Sequence, residues 1–216
     1  IHSAGLKVVS SATTVREAIR LEDLGVDAVI AQGSEAGGHR GTFMGDVALV
    51  GTLALVPQVV DAIKIPVIAA GGIMDARGIV ACRALGAAGV QMGTAFLACP
   101  EVKLSPAWLE RLYSAESEDT TVTRAISGKA ARGIRNRFIE SVENLDEALL
   151  PYPLQYSISN KLRQAATAQG DADFMALWSG QGTRLIQAMP AADLLRRLVA
   201  ESAREAKRIG VLLGNL

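Results

Sequence analysis

The 216-residue chain is poor in the side chains that narrow chemistry quickly: it has two cysteines, two histidines and an aromatic content of 4%. Cys82 and Cys99 stand far apart in apolar surroundings, which suits buried free thiols in a reducing, cytoplasmic compartment rather than a disulfide framework. No His/Cys spacing has the form of a zinc site, and no metal ligand set is read. An excess of one charge is missing too. The 22 Lys and Arg balance 22 Asp and Glu without a block of like sign, which argues against nucleic acid or an anionic membrane as the main partner. Any anion site must then be local. No apolar run reaches bilayer-spanning length, and Ile1-His2-Ser3 is neither a signal peptide nor a translational start, so further residues are expected to precede it.

What is present is core-forming material: half of the residues are apolar, enough for one ordinary or larger domain. They fall into strand-then-helix units. Leu6 to Ser10 is a short β-branched run, and Thr14-Val15-Arg16-Glu17 has capping-box form ahead of a helix that Gly25 ends. Val26 to Ala31 supplies the second strand. Pro57 suits the first turn of a helix running to about Ile63, and Pro66 to Ala70 is the third strand. Asp75 can cap a helix with Ile79, Cys82 and Leu85 on one face, and Val90 to Thr94 is the fourth strand with its exit. Four nearly all-apolar strands alternating with helices predict an α/β fold with a parallel sheet, either doubly wound or a β/α barrel.

From Ser105 to about Gly182 the alternation gives way to helical pieces. These are a helix opened by Ser105-Pro106 and others over Asn136 to Leu150, Asn160 to Gln169 and Asp171 to Trp178. Ala191 to Leu213 is amphipathic, with Leu194, Leu195, Leu198, Val199, Ala206 and Ile209 on one side, as expected of a closing helix. The implied division is a β/α segment (1–104), a helical insertion (105–185) and the closing helix (186–216).

Two kinds of glycine cluster stand at strand exits. Gln32-Gly33-Ser34-Glu35-Ala36-Gly37-Gly38-His39-Arg40-Gly41 places four glycines around His39. It reads either as a mobile surface loop or as a site where backbone approaches a ligand and an imidazole does proton work. Gly71-Gly72 and Gln91-Met92-Gly93-Thr94 close the next two strands, where backbone N–H groups and the Thr94 hydroxyl can hold a phosphate without cationic side chains. Either cluster alone could be a tight turn; the pair on consecutive strands points to phosphate. If these are the last two strands of a barrel, the four seen here are strands five to eight. A half barrel leaves two unpaired edges, so a preceding segment or another chain is expected to complete it.

Gln32 to Gly41, Ile65 to Ile73, Val90 to Leu97, Thr123 to Gly133 and Leu177-Trp178-Ser179-Gly180-Gln181-Gly182 together resemble the nitronate monooxygenase family and its relatives, the flavin-dependent enoyl-acyl-carrier-protein reductases. The resemblance implies an FMN-dependent TIM (β/α)8 barrel with a helical substrate domain, of which this chain carries about the last four β/α units. It implies cofactor contacts from Gln32, Gly37, Gly71, Gly72, Gln91, Met92, Gly93 and Thr94, with His39 as the active-site histidine. The implied reaction is oxidation of alkyl nitronates or nitroalkanes with O2 to carbonyl compounds and nitrite. The alternatives are an NAD(P)H-dependent enoyl reductase and a non-catalytic half-barrel fragment. The family's first strand, with its glycine-rich flavin contact, and an asparagine from an early strand have no counterpart here. The expected partners are therefore the nitronate, O2 and the missing half of the barrel, with a homodimer left open.

His39 could serve as a cation or N–H donor beside a delocalised nitronate, or as a base toward a neutral nitroalkane. Glu35 is the weak candidate to orient it. Arg124, Lys129 and Arg132 could steer an anion or cover the pocket, or else form a solvated face or structural ion pairs; Trp178, Tyr152 and Tyr156 are read as packing rather than flavin stacking, with a pocket wall as the alternative.

Overall fold

The computed structural model describes residues 1–145 and 149–214. Its first half contains β1 (Val9–Ala12), α1 (Val15–Asp23), β2 (Ala28–Gln32), the short β3 (Gly38–His39), α2 (Thr52–Ala62), β4 (Val67–Ala70), α3 (Ala76–Ala84) and β5 (Gly89–Gln91). Four of these strands form a parallel sheet in the order β1-β2-β4-β5. Gln32 is level with Ala70 and Ala70 with Gln91, so three strand exits reach the same end of the sheet. Beneath them lies a core in which Val29, Ala31, Leu55, Val56, Val59 and Ala69 are buried.

Local chemistry sets the boundaries, sometimes against expectation. β1 begins three residues later than the apolar run does. Asp27 ties down the chain there, its carboxylate accepting from Val8 N (2.7 Å) and its own N–H donating to Val8 O (2.8 Å), while Leu6 stays exposed. The capping box forms only in part: Thr14 accepts from Glu17 N (3.2 Å). The buried Glu17 carboxylate turns instead to Thr13 N (2.6 Å), Phe43 N (2.6 Å) and Met44 N (3.0 Å). Burial pushes the Glu17 pKa up, but these hydrogen bonds outweigh it and leave the pKa below the ordinary carboxylate range.

Pro57 lies inside α2 rather than in its first turn. The helix starts early because Glu35, from the glycine loop, accepts from Thr52 N (2.9 Å) and Thr52 Oγ1 (2.8 Å), acting as a distant cap. Leu53, whose carbonyl loses a donor to proline, is exposed. Asp75 and Ser105 cap their helices as expected, accepting from Arg77 N and Trp108 N respectively.

The second half holds α4 (Pro106–Ser114), β6 (Thr120–Thr123), β7 (Ala131–Ile134), α5 (Arg137–Glu143), α6 (Leu154–Ile158), α7 (Asn160–Gln169) and α8 (Ala191–Leu213). It is not purely helical. β3, β7 and β6 form an antiparallel sheet in that order, joining the glycine loop to this segment. The helix expected over Asn136 to Leu150 ends at Glu143, and residues 146–148 of that stretch lie outside the described residues. Asp171 to Trp178 makes only one 3-10 turn at Ala172–Phe174, after which Trp178 bridges to Gly133. α8 seats Leu194 and Leu198 against Cys99, Ile79 and Met92, while Leu195 and Val199 remain exposed. Among the described residues no helix is long and apolar enough to cross a membrane.

Candidate active site

The exits of β2, β4 and β5, with Gly180 and Gly182, surround a cleft of about 110 Å³. Gln32, Gly37, Gly71, Gly72, Gln91, Met92, Gly93 and Thr94 all line it; His39 does not. Gly71 and Gly72 turn the chain with φ of 115° and 70°, conformations that favour glycine. Among the described residues, the N–H groups of Gly71, Gly72, Gly93 and Thr94 donate to no backbone or side-chain acceptor. Thr94 Oγ1 accepts from Gly180 N (2.9 Å), which leaves its own proton to offer. Five donors around one cleft suit an anion such as a phosphoryl group. The volume is below the roughly 300–1,000 Å³ of small-molecule sites, so the cleft fits one end of a larger ligand.

The glycines do not all serve a ligand. A Cβ on Gly33 would stand 1.9 Å from Thr52 Oγ1, and one on Gly37 would stand 2.5 Å from Gly180 N. These two let the loop pack against its own protein. Gly93 differs: a Cβ there meets no atom within 4 Å.

Nor is the glycine loop loosely held. Arg40, 1% exposed, donates to Gly33 O (2.6 Å) and Gln32 O (2.9 Å), and Arg132 donates to Ser34 O (2.8 Å) and Thr120 Oγ1 (3.0 Å). Two buried guanidinium groups therefore hold three consecutive carbonyls. The Gln32 side chain closes the loop, donating to His39 O (3.1 Å) and accepting from Gly41 N (2.7 Å). Arg132 is thus neither a solvated face nor a substrate-steering group. Glu35 has its hydrogen bonds with Thr52 and does not orient His39. Sequence reasoning missed Arg40, whose only signal was a lone arginine in a glycine-rich stretch.

His39 is carried by β3, opposite Ala131 of β7. Its Nε2 lies 2.8 Å from Ser127 Oγ, and that hydroxyl also donates to Lys129 O (3.0 Å). A hydroxyl has one proton. When that proton is given to Lys129 O, the imidazole is the Nε2–H tautomer and its Nδ1 lone pair is bare; when it is given to Nε2, the ring hydrogen sits on Nδ1. The ring meets Tyr152 edge-on at 5.7 Å between centroids and Trp178 at 5.5 Å. Desolvation, followed by the Lys129 charge, lowers the His39 pKa and favours the neutral base. Tyr156 instead stacks on Arg163, and the second histidine, His2, bonds Asp27 far from the site (2.9 Å).

A family model described as nitronate monooxygenase matches residues 1–201. The chain belongs to the nitronate monooxygenase family. A probable nitronate monooxygenase of Staphylococcus aureus (strain Newman) is 46% identical over 202 residues, covering 92% of this chain and 57% of the relative. The crystal structure of nitroalkane oxidase from Streptomyces ansochromogenes superposes with a TM-score of 0.89 at 42% identity, covering 96% of this chain and 60% of that one. FabK from Thermotoga maritima has a TM-score of 0.81 at 34% identity, with coverages of 98% and 65%. This nitronate monooxygenase family member therefore spans less than two thirds of the length of these relatives.

Proposed function

We propose that this family member forms the phosphate-side wall and the histidine of an FMN-dependent enzyme that oxidises nitroalkanes and alkyl nitronates with O2 to carbonyl compounds and nitrite. The reading rests on one observation above others: unpartnered N–H groups at two consecutive strand exits meet the free proton of Thr94 in one cleft. Gly71, Gly72, Gly93 and Thr94 would hold the phosphate, with Gln32, Gly37, Gln91 and Met92 alongside. Bound FMN supplies the electron acceptor and the route by which O2 takes up the electrons.

The chain's own chemistry centres on His39. In the tautomer whose Nε2–H donates to Ser127, Nδ1 is the free atom, and the lowered pKa favours its unprotonated form. That supports the base role, removal of the proton beside the nitro group of a nitroalkane to leave the nitronate. The imidazolium role is disfavoured by the same shift. β1 and β5 are the edges of the four-stranded parallel sheet, and further β/α units pairing with them would complete a barrel.

The test is steady-state oxygen consumption by the purified protein supplied with FMN. Uptake that depends on ethylnitronate or nitroethane, with nitrite formed and no nicotinamide required, is expected. NADH oxidation with a crotonyl thioester and no nitronate-dependent uptake would overturn the proposal.

A further inference from the structure

Apart from the cleft, the helical segment contains a larger cavity of about 650 Å³ that shares no lining residue with it. Its size falls within the range of small-molecule sites, roughly 300–1,000 Å³. Aromatic side chains are scarce in this protein, yet both tryptophans, Trp108 and Trp178, line this one space together with Tyr156. Trp178 also meets the His39 ring, 5.5 Å between centroids. One indole therefore separates the cavity from the candidate active site.

The charged groups in the cavity wall, Arg163 and Lys103, are both cationic, and the neutral polar Ser105, Gln164 and Thr167 stand beside them. Arg163 is 9% exposed, and its Cζ lies 3.9 Å from the centroid of the Tyr156 ring. Its Nε donates to Ser159 Oγ (3.1 Å) and its Nη2 to Tyr156 O (3.0 Å), while Nη1 has no acceptor among the described residues. No carboxylate among the described residues lies within 4 Å of it. Arg163 Nη1 is thus left to donate to an anion that enters the cavity. Trp108 Nε1 is likewise buried without an acceptor. Lys103, also in the lining, makes no ion pair among the described residues and is the one described non-glycine residue with positive φ (56°). A left-handed lysine is uncommon and marks a position held by its surroundings.

We infer that this cavity binds an organic carboxylate with an alkyl or aryl body, the carboxylate meeting Arg163 and Lys103 and the body lying against Trp108, Tyr156 and Trp178. The unpartnered Nη1 of Arg163 suits one carboxylate oxygen, and the aromatic walls match the body. The inference does not depend on whether the cleft holds FMN.

The test is titration of the protein with octanoate, read by tryptophan fluorescence, since both tryptophans line the cavity. Octanoate is expected to change the emission saturably. Arg163→Met should weaken it by about tenfold or more, as loss of a charge-assisted bond implies, while octanol binding is retained. If Arg163→Met fails to fold by circular dichroism, Lys103→Ala at an exposed position serves, with a weakening of about threefold expected. No saturable change with octanoate, or equal affinity in every folded variant, would overturn the inference.

Discussion

His39 combines an imidazole of lowered pKa, a hydroxyl partner and two aromatic neighbours, and each was legible to a different degree. The histidine itself stands out in the sequence because there are only two and one lies among glycines. Ser127 does not, because it lies 88 residues away and meets His39 only when β3 pairs with β7. Arg40 and Arg132 were also illegible, since a charged side chain in a loop reads as solvated unless the carbonyls that bury it are seen. With FMN content retained, His39→Ala should lower nitroalkane turnover by more than about tenfold. The pH dependence has a definite sign. A base must be unprotonated, and the folded-state pKa lies below the ordinary value of about 6.5, so kcat/KM should fall on the acid side with a midpoint under that value. A midpoint above it, or full activity of the alanine variant, would remove His39 from the role.

At the scale of elements, the parallel strands and their helices could be read because apolar runs and local caps carry the signal. Asp75 and Ser105 are caps within three residues of the groups they serve. α2 was misplaced for the opposite reason, its cap coming from Glu35 across the glycine loop. β6 and β7 were missed although Thr120-Thr121-Val122-Thr123 is a β-branched run. β7 had no apolar alternation to reveal it, because its Arg132 is buried with the rest of the strand. Glu35→Ala should cost about 1–2 kcal/mol through the lost cap, measured by urea unfolding. It should also loosen the glycine loop, seen as faster amide exchange at residues 33–37. Unchanged stability and exchange would mean that Glu35 does not anchor the loop to α2.

For the whole molecule, the four parallel strands and the three exits they share were foreseeable from order and periodicity, but how the second half folds over them was not. The antiparallel sheet and the Trp178–Gly133 bridge bring Gly180 to within a hydrogen bond of Thr94 (2.9 Å). The last stretch of motif thereby closes the cleft opened by the first three. Gly93 gives the most direct measurement of what the cleft holds. Its φ is −112°, and a Cβ would meet no protein atom within 4 Å, so Gly93→Ala should fold as the parent does. If the cleft takes the FMN phosphate, that methyl group intrudes on the ligand alone. Fluorescence titration with FMN should then give a dissociation constant about tenfold weaker at unchanged Tm, with a comparable loss for Thr94→Val. Equal FMN affinity in the parent and both variants would contradict the placement of the cofactor.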